Sequence, residues 1–327
     1  MHEFENFSPE SFLPFVGESL QCRMTGLAAA LPSYINRVFL TQAGSGDRLV
    51  LKFYRPNRWT PDAIRDEHDF LWDCDAEGIP VVPPFELANG DTLAFADDIP
   101  FAVFPLKRGR NAEIDSEGFF QRAGALLGRI HDCGLKRIAR HRMTLSPENF
   151  AFRTMERLFE SGAVHPRYEE ELMTICEELI NLAEDCFPDP ESFFRIHGDF
   201  HIGNLLERPG EGLTAIDFDD MLNGPAVQNV WMLLPGAACD SIPQLQEFLS
   251  GYRMFLDFPV GDLRIVELLR ALRMMHYLSW CAIQRGDRKF QELYPDWGTE
   301  IFWRKELEDF RRQRVVALQT LEMPLPF

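Results

Sequence analysis

The feature that most constrains this chain is a pair of short polar segments separated by one strand-forming stretch. The first reads His-Gly-Asp-Phe-His-Ile-Gly-Asn over residues 197–204, and the second reads Ile-Asp-Phe-Asp-Asp over residues 216–220. Asp199 could accept a proton from a hydroxyl, while Asn204 and Asp217 could hold magnesium, because hard cations prefer oxygen ligands. An Asp, an Asn five residues later and a second Asp beyond a strand predict phosphoryl transfer from ATP.

Composition identifies a globular chain and limits its partners. Of its 327 residues, 46% are hydrophobic and 26% are charged, which suits one or two folded domains. The 51 acidic and 33 basic residues give a net charge of −18. Nucleic-acid binding needs a basic patch, so we expect no nucleic-acid partner. The charge has two interpretations: an acidic protein of the cytoplasm, or an acidic cleft that attracts a cationic substrate.

Cysteines and apolar runs indicate the compartment. The seven cysteines are scattered and form no C-x-x-C pair, which predicts neither disulfides nor zinc and favours the reducing cytoplasm. Residues 1–5 are acidic and lack a basic region followed by an apolar run, so no signal peptide is predicted. No apolar run approaches the roughly 18 residues that span a bilayer, so we expect no membrane partner. Without a coiled coil or a long apolar edge, the expected state is a monomer.

The first hundred residues predict strands around one helix. Residues 38–42 and 48–54 flank a short glycine-rich loop, which is typical of a hairpin. Thr60 can cap a helix that has Pro61 in its first turn and ends at Gly78. Further strands are expected at residues 81–85, 92–95 and 101–104.

A hinge at Pro105 and the polar residues 107–110 precedes a helical region. Asp115 can cap a helix that ends at Gly134, and apolar periodicity predicts more helices at residues 167–186, 263–280 and 301–321. We therefore expect an α+β, bilobal, protein kinase-like fold. Residues 1–105 would form a small β-rich nucleotide-binding lobe, and residues 106–327 a larger, mainly helical lobe for catalysis and substrate binding.

Lys52 is the predicted phosphate-binding cation. It lies mid-strand on the same face as Val50 and Tyr54. A buried lysine without a partner is costly, so an anion must be near. Glu67, in the middle of the predicted helix, is the best carboxylate, and a Lys52–Glu67 pair would direct the ammonium at the phosphates of ATP. The alternative is a surface lysine on an edge strand.

The segment that would cover the nucleotide is less distinctive. The chain has no G-x-G-x-x-G before its first predicted strand and no Walker A sequence, which argues against the P-loop class. Ser33 and the neighbouring backbone N–H groups of residues 31–37 could cover the phosphates. The alternative is an ordinary turn.

Two histidines flank Asp199 and raise the alternative of a zinc or iron hydrolase. The segment is interrupted by two glycines, so His197 and His201 are expected in a loop rather than on one helix face. His197 is expected to brace that loop by hydrogen bonds. Asp219 and Asp220 have three open interpretations: loop bracing, metal binding, or capture of a cationic substrate.

Three further residues are predicted to have a structural role or no role. His131 is predicted to be a packing or capping residue at the end of its helix. No role is predicted for Arg270 or Arg273.

The two polar segments resemble the aminoglycoside phosphotransferase-like and choline-kinase-like branch of the kinase fold, in which H-G-D and an Asn precede I-D-x-x-D. More narrowly, the chain is similar to the bacterial stress response kinase A family. The similarity extends over roughly residues 31 to 281. Its matching segments are residues 33–38, 52–56, 58–60, 101–105, 223–228, 231–234 and 269–273.

That family consists of ATP-dependent serine/threonine protein kinases of the bacterial cytoplasm, linked to protection against envelope and oxidative stress. The resemblance implies that Asp199 accepts the proton, that Asn204 and Asp217 bind Mg²⁺, and that Ser33 lies at the ATP loop. Asp199 and Asp217 would be the catalytic pair, and Lys52 with Glu67 would hold ATP. Phe200, where the family usually has Cys or a comparable residue, changes none of these roles.

The expected partner is thus a protein with a Ser or Thr acceptor. The nearest alternative is a kinase for a small cationic hydroxyl compound, such as an aminoglycoside, choline or a homoserine-like amino alcohol. A nucleotide-binding pseudokinase scaffold is a third class. Intact Lys52, Asp199, Asn204 and Asp217 argue against it.

Overall fold

The computed structural model of the protein describes residues 7–33, 35–322 and 325–327. Two sequence features lie outside the described residues: the acidic residues 1–5, which bear the prediction on a signal peptide, and Tyr34 of the segment 33–38.

The N-terminal part is a five-stranded antiparallel sheet with two helices, and its strand order is β1-β2-β3-β5-β4. Its elements are α1 Pro9–Ser19, β1 Met24–Ala30, β2 Arg37–Ala43, β3 Arg48–Phe53, α2 Pro61–Ala76, β4 Ala94–Ala96 and β5 Ile99–Pro105. The predicted hairpin is confirmed as β2 and β3. The predicted helix is confirmed as α2: the Thr60 hydroxyl accepts a hydrogen bond from Ala63 N at 3.2 Å, and Gly78 follows with a φ of 67°.

Three predictions for this part are wrong. The sequence predicts one helix here, whereas α1 and β1 precede the hairpin; Pro14 interrupts the short apolar face of α1, and β1 is mostly exposed and lacks an alternating pattern. Residues 81–85 form no strand, because Pro83 and Pro84 have no N–H to donate. The strand expected at residues 92–95 is limited to Ala94–Ala96.

The C-terminal part is mainly helical and carries two small sheets, with strand orders β6-β8-β9 and β10-β7. Its elements are β6 Arg110–Asn111, α3 Phe119–Gly134, α4 Arg153–Glu160, α5 Pro166–Cys186, β7 Phe194–Ile196, β8 Leu205–Arg208, β9 Gly212–Ala215, β10 Leu222–Gly224, α6 Ile242–Tyr252, α7 Val266–Gln284, α8 Arg288–Leu293 and α9 Glu300–Glu322. Helices α3 and α6 pack in direct backbone contact. A Cβ on Gly124 of α3 would lie 2.0 Å from the carbonyl oxygen of Phe248.

Two helix starts differ from prediction. Asp115 does not cap α3, which begins at Phe119 after Gly118 in the left-handed conformation, at a φ of 63°. Helix α7 begins at Val266, because a 3₁₀ turn, Val260–Ile265, occupies the expected first turn. The helices predicted at residues 167–186 and 301–321 are confirmed as α5 and α9.

The predicted α+β, bilobal architecture is confirmed. A cluster of phenylalanines, including Phe12, Phe39, Phe53 and Phe101, fills the core between α1 and the sheet. A larger apolar core joins the C-terminal helices and reaches α2 through Phe70 and Leu71. Strand β5 ends at Pro105, and the division of the chain after residue 105 stays a prediction.

Two further observations bear on the cysteines and helices. All seven cysteines, which lie in the described ranges, are free thiols. Among the described residues, no helix combines the length and the apolar character needed to cross a bilayer.

Candidate active site

Lys52 of β3 lies at the centre of a buried ionic network. Its Nζ is 3.0 Å from Glu67 Oε1, 3.2 Å from Asp217 Oδ1 and 3.4 Å from Asp219 Oδ1. The predicted Lys52–Glu67 pair is therefore present, and the surface-lysine alternative is wrong. Burial lowers the pKa of Lys52, but the carboxylates of Asp219 and Glu67 outweigh it, so the pKa lies well above its usual value. Lys52 is a fixed positive charge beside Asp217.

A second cation, Arg142, holds Glu67 from the C-terminal part. Its Nη2 is 3.0 Å from Glu67 Oε2, and it also donates to the carbonyl oxygens of Ala63 at 2.7 Å and Asp219 at 2.6 Å. The Arg142 side chain is fully buried and lies over the Trp59 ring. Sequence analysis missed Arg142, because it lies in irregular chain where no periodicity marks it. This contact ties α2 to the segment that carries Asp219.

Asp199 follows β7 in the loop of the first polar segment. Its Oδ1 accepts a hydrogen bond from Arg273 Nη2 at 2.9 Å, and its Oδ2 is 3.3 Å from His201 Nε2. Asn204 Nδ2 donates to the Asp199 backbone carbonyl at 2.9 Å. Burial raises the pKa of Asp199, but His201 and Arg273 together outweigh it and hold the pKa below its usual value. The Asp199 carboxylate is therefore ionised and has a partner on each oxygen.

Backbone and side-chain hydrogen bonds join the two polar segments. His197 Nε2 lies 3.0 Å from the Ile216 carbonyl oxygen, and Ile216 N donates to the Asn204 carbonyl at 3.0 Å. Gly198 has a φ of 81°, and a Cβ there would lie 2.0 Å from the Asp220 carbonyl oxygen. The prediction that His197 braces the loop is confirmed. Asn204 and Asp217 consequently lie on hydrogen-bonded neighbouring segments.

Behind this loop lies a chain of three buried polar side chains. Asn229 Oδ1 accepts from Gly198 N at 2.9 Å, and its Nδ2 lies 3.0 Å from His131 Nε2. His131 Nδ1 lies 2.8 Å from the Tyr252 hydroxyl. Because Asn229 Nδ2 can only donate, His131 accepts at Nε2 and carries its proton on Nδ1. His131, predicted as a packing or capping residue, supports the loop that carries Asp199.

Asp217 presents oxygen to the cleft beside Lys52. Its backbone has a φ of 60°, which is uncommon for a residue other than glycine, and its side chain is 54% exposed. An Asn204 amide oxygen and an exposed Asp217 carboxylate are hard donors, which fit Mg²⁺ better than zinc. Across the described ranges, no three His, Cys, Asp or Glu side chains group as metal ligands. His197 is engaged in bracing the loop through the Ile216 carbonyl.

Asp219 and Asp220 are bound to Arg58 rather than open to the cleft. Arg58 Nη1 contacts Asp219 Oδ2, and its Nη2 lies 2.6 Å from Asp220 Oδ1. Asn36 Nδ2 also donates to Asp219 Oδ2 at 3.1 Å. Of the three open interpretations, these contacts favour loop bracing. Sequence analysis missed both Arg58 and Asn36 as partners of the acidic pair.

Ser33 lies in the connection between β1 and β2, where Leu31 N donates to the Val38 carbonyl at 2.8 Å. The same connection reaches the site through Asn36, which accepts from Arg55 N at 3.1 Å and donates to Asp219. A role for Ser33 at the phosphates stays a prediction.

The two-lobed fold, with a buried Lys–Glu pair facing an Asp-Asn-Asp set, defines a phosphotransferase. A family model described as "Phosphotransferase enzyme family" (APH) matches residues 28–269. Stress response kinase A of Escherichia coli (strain K12) is 33% identical over 96% of this chain and 94% of its own. The chain therefore belongs to the phosphotransferase enzyme family and, within it, to the bacterial stress response kinase A group.

A further relative agrees with this assignment, and two solved structures share the fold. "Serine/threonine protein kinase RdoA" of Salmonella typhimurium (strain LT2) is 32% identical over 95% of this chain and 93% of its own. Amicoumacin kinase hAmiN, solved with AMP-PNP, Ca²⁺ and Ami, has a TM-score of 0.75 at 19% identity and covers 99% of this chain and 98% of its own. The microcompartment-associated aminopropanol kinase has a TM-score of 0.69 at 19% identity, covering 91% and 94%. These structural likenesses show the fold.

Proposed function

We propose that this chain is a serine/threonine protein kinase of the bacterial cytoplasm that transfers the γ-phosphate of Mg²⁺-ATP to protein hydroxyls during a stress response. The observation that carries phosphoryl transfer is the buried Lys52–Glu67 pair, whose ammonium also lies 3.2 Å from Asp217. The name of the Salmonella typhimurium relative supports a protein acceptor.

Each predicted residue then has a role. Lys52, oriented by Glu67, would hold the phosphates of ATP, with Ser33 covering them. Asn204 and Asp217 would hold Mg²⁺, which when bound neutralises charge that develops on the phosphates. Asp199 would orient the acceptor hydroxyl and take its proton. Positioning and electrostatic stabilisation would supply most of the acceleration.

The charge pattern of the site also favours a neutral acceptor hydroxyl. Asp199 faces Arg273, Asp217 faces Lys52, and Asp219 and Asp220 share Arg58. A cationic amino sugar or amino alcohol needs carboxylates that are open to it. Asp199, Asp219 and Asp220 are each already paired with an arginine, and the exposed Asp217 is assigned to Mg²⁺ in this proposal. A Ser or Thr side chain makes no such demand.

The test is transfer of labelled γ-phosphate from Mg²⁺-ATP by the wild type and by Asp199→Asn. Each enzyme is given either a generic Ser/Thr protein acceptor or a panel of amino alcohols and aminoglycosides. We expect label on protein Ser or Thr with the wild type alone, and equal ATP binding by both proteins.

Three results would contradict parts of this proposal. Label on a small molecule alone overturns the protein acceptor. Transfer retained by Asp199→Asn overturns the role of Asp199. ATP binding without transfer by the wild type would favour the pseudokinase scaffold.

A further inference from the structure

Arg273 belongs to neither polar segment, yet it makes the shortest side-chain contact of Asp199. It lies 74 positions along the chain from Asp199, on α7, and its Nη2 is 2.9 Å from Asp199 Oδ1. A charge-assisted hydrogen bond of this length both orients and stabilises a carboxylate. The Arg273 side chain is 30% exposed, so the contact lies at the cleft rather than inside the core.

Helix α7 is a rigid support for this contact. Its buried face packs into the main core through Leu269, Leu272 and Met275. Six residues before Arg273, nearly two turns earlier, the buried Glu267 accepts from Arg270 Nε at 3.0 Å and from Ala238 N at 2.7 Å. Arg273 therefore projects from a helix whose neighbouring turn is fixed by hydrogen bonds.

The other oxygen of Asp199 has looser partners. His201 Nε2 lies 3.3 Å from Oδ2, and the His201 side chain is 41% exposed. Asn204 Nδ2 lies 3.5 Å from the same oxygen. Gly203 N donates to His201 Nδ1 at 3.0 Å, so in neutral His201 the proton lies on Nε2 and points to Oδ2. An acceptor hydroxyl could replace the His201 donor on Oδ2 one for one. Replacing Arg273 on Oδ1 would leave a guanidinium without its carboxylate.

We propose that Arg273 is a positioning residue for Asp199: it fixes Oδ1 from α7 and leaves Oδ2 as the oxygen that meets the acceptor hydroxyl. This inference rests on the proposed function of the site. In the transfer step the hydroxyl oxygen forms the new bond to the γ-phosphorus, and the bond between that phosphorus and the bridging oxygen breaks to release ADP. The hydroxyl proton passes to Oδ2 while Arg273 keeps Oδ1 in place.

The test compares Arg273→Ala, Arg273→Lys and the control Arg285→Ala by steady-state kinetics with the acceptor that the wild type labels. Arg285 lies just beyond α7, donates to the Ser161 carbonyl at the surface, and touches neither polar segment. We expect Arg273→Ala to lower kcat about 10- to 100-fold, because a misplaced proton acceptor loses much of its contribution. KM for ATP and for the acceptor should stay within about twofold, since Arg273 would bind neither.

Rescue of activity distinguishes a positioning role of Arg273 from a role in folding. Arg273→Lys restores a cation but not the planar guanidinium, so its kcat should lie between those of Arg273→Ala and the wild type. Added guanidinium at millimolar concentration should raise the kcat of Arg273→Ala and leave Arg285→Ala unchanged.

The contradicting outcomes are distinct. An unchanged kcat in Arg273→Ala, a loss carried by acceptor KM, or a loss that neither lysine nor guanidinium relieves overturns the inference and leaves the proposed function standing. A wild type that transfers phosphate to no acceptor, nor to water, overturns the proposed function and the inference with it.

Discussion

At the scale of single residues, the site works by matching each carboxylate with a cation. Lys52 of β3, Arg58 in the turn that follows β3, and Arg273 of α7 meet the two polar segments. The matching lets acidic side chains crowd together without the repulsion that would otherwise neutralise them. Asp217 differs from the other carboxylates, because its side chain is more than half exposed and is thus accessible to a metal ion.

Removal of the Asp217 carboxylate should therefore weaken metal binding more than it lowers the stability of the fold. We expect Asp217→Ala to weaken Mg²⁺-dependent ATP binding by about tenfold or more, because one of the two proposed protein ligands is lost. Isothermal titration with Mg²⁺-ATP and with metal-free ATP measures the difference. Unchanged binding in Mg²⁺ would assign the metal to Asp219 or Asp220 instead.

At the scale of elements, α2 is held against the C-terminal part by arginines of unequal burial. Arg142 is fully buried on Glu67, whereas Arg137 binds Asp73 at 2.7 Å on the surface. A buried charge that loses its partner is costly, and an exposed pair contributes little. The position of Glu67 relative to Asp219 thus depends on Arg142 together with Lys52, and not on Arg137.

The two arginines give a matched pair of variants. Arg142→Met should lower the free energy of unfolding by about 3–5 kcal/mol, because Glu67 loses one of its two cations in a buried site. Arg137→Met should cost at most about 1 kcal/mol. Urea unfolding measures both free energies of unfolding. Equal losses in the two variants would contradict the expected difference between Arg142 and Arg137.

The loop that carries Asp199 has its own steric requirement. Gly198 and Gly210 both have positive φ, but a Cβ would collide with the Asp220 carbonyl at Gly198, whereas nothing lies within 4 Å at Gly210. Gly210→Ala should cost about 1–2 kcal/mol from the left-handed backbone alone. Gly198→Ala should cost about 1–3 kcal/mol more and abolish transfer. Active Gly198→Ala enzyme with the stability of Gly210→Ala would show that the loop can move aside.

At the scale of the whole molecule, the sequence predicts the candidate site residues better than it predicts the arginines that hold them in place. Asp199, Asn204 and Asp217 are predictable because metal and phosphate chemistry demands those side chains at short spacing. Lys52 and Glu67 follow from strand alternation and the cost of a lone buried charge. Arg142 and Arg273 have no such signal, because each reaches its partner across at least 74 positions of chain. The strand expected at residues 81–85 is wrong for a local reason, since its prolines lack donors.

Buried neutral histidines set how the whole molecule responds to acid. Burial lowers the pKa of His68 and His131 from 6.5 to about 3 and that of His276 to about 4, and it also lowers the pKa of His197. Below pH 6.5 these histidines bind protons in the unfolded chain but not in the folded chain, so the free energy of unfolding falls as pH falls. His201 opposes this trend, because Asp199 raises its pKa and the folded state then gains stability at low pH.

Asp199 and Asp219 do not share this pH window. Their pKa values are lowered from a usual 3.8, so their stabilisation is lost only as pH falls below about 4. The histidines with lowered pKa values therefore account for the loss of stability expected between pH 6.5 and 4. Each proton that the unfolded chain binds and the folded chain does not bind contributes about 1.4 kcal/mol per pH unit, so His68, His131 and His276 together predict a slope of about 4 kcal/mol per unit around pH 5. Urea unfolding at pH 7.5, 6.5, 5.5 and 4.5 measures it. A flat profile down to pH 4.5 would mean that these imidazoles titrate normally in the folded protein.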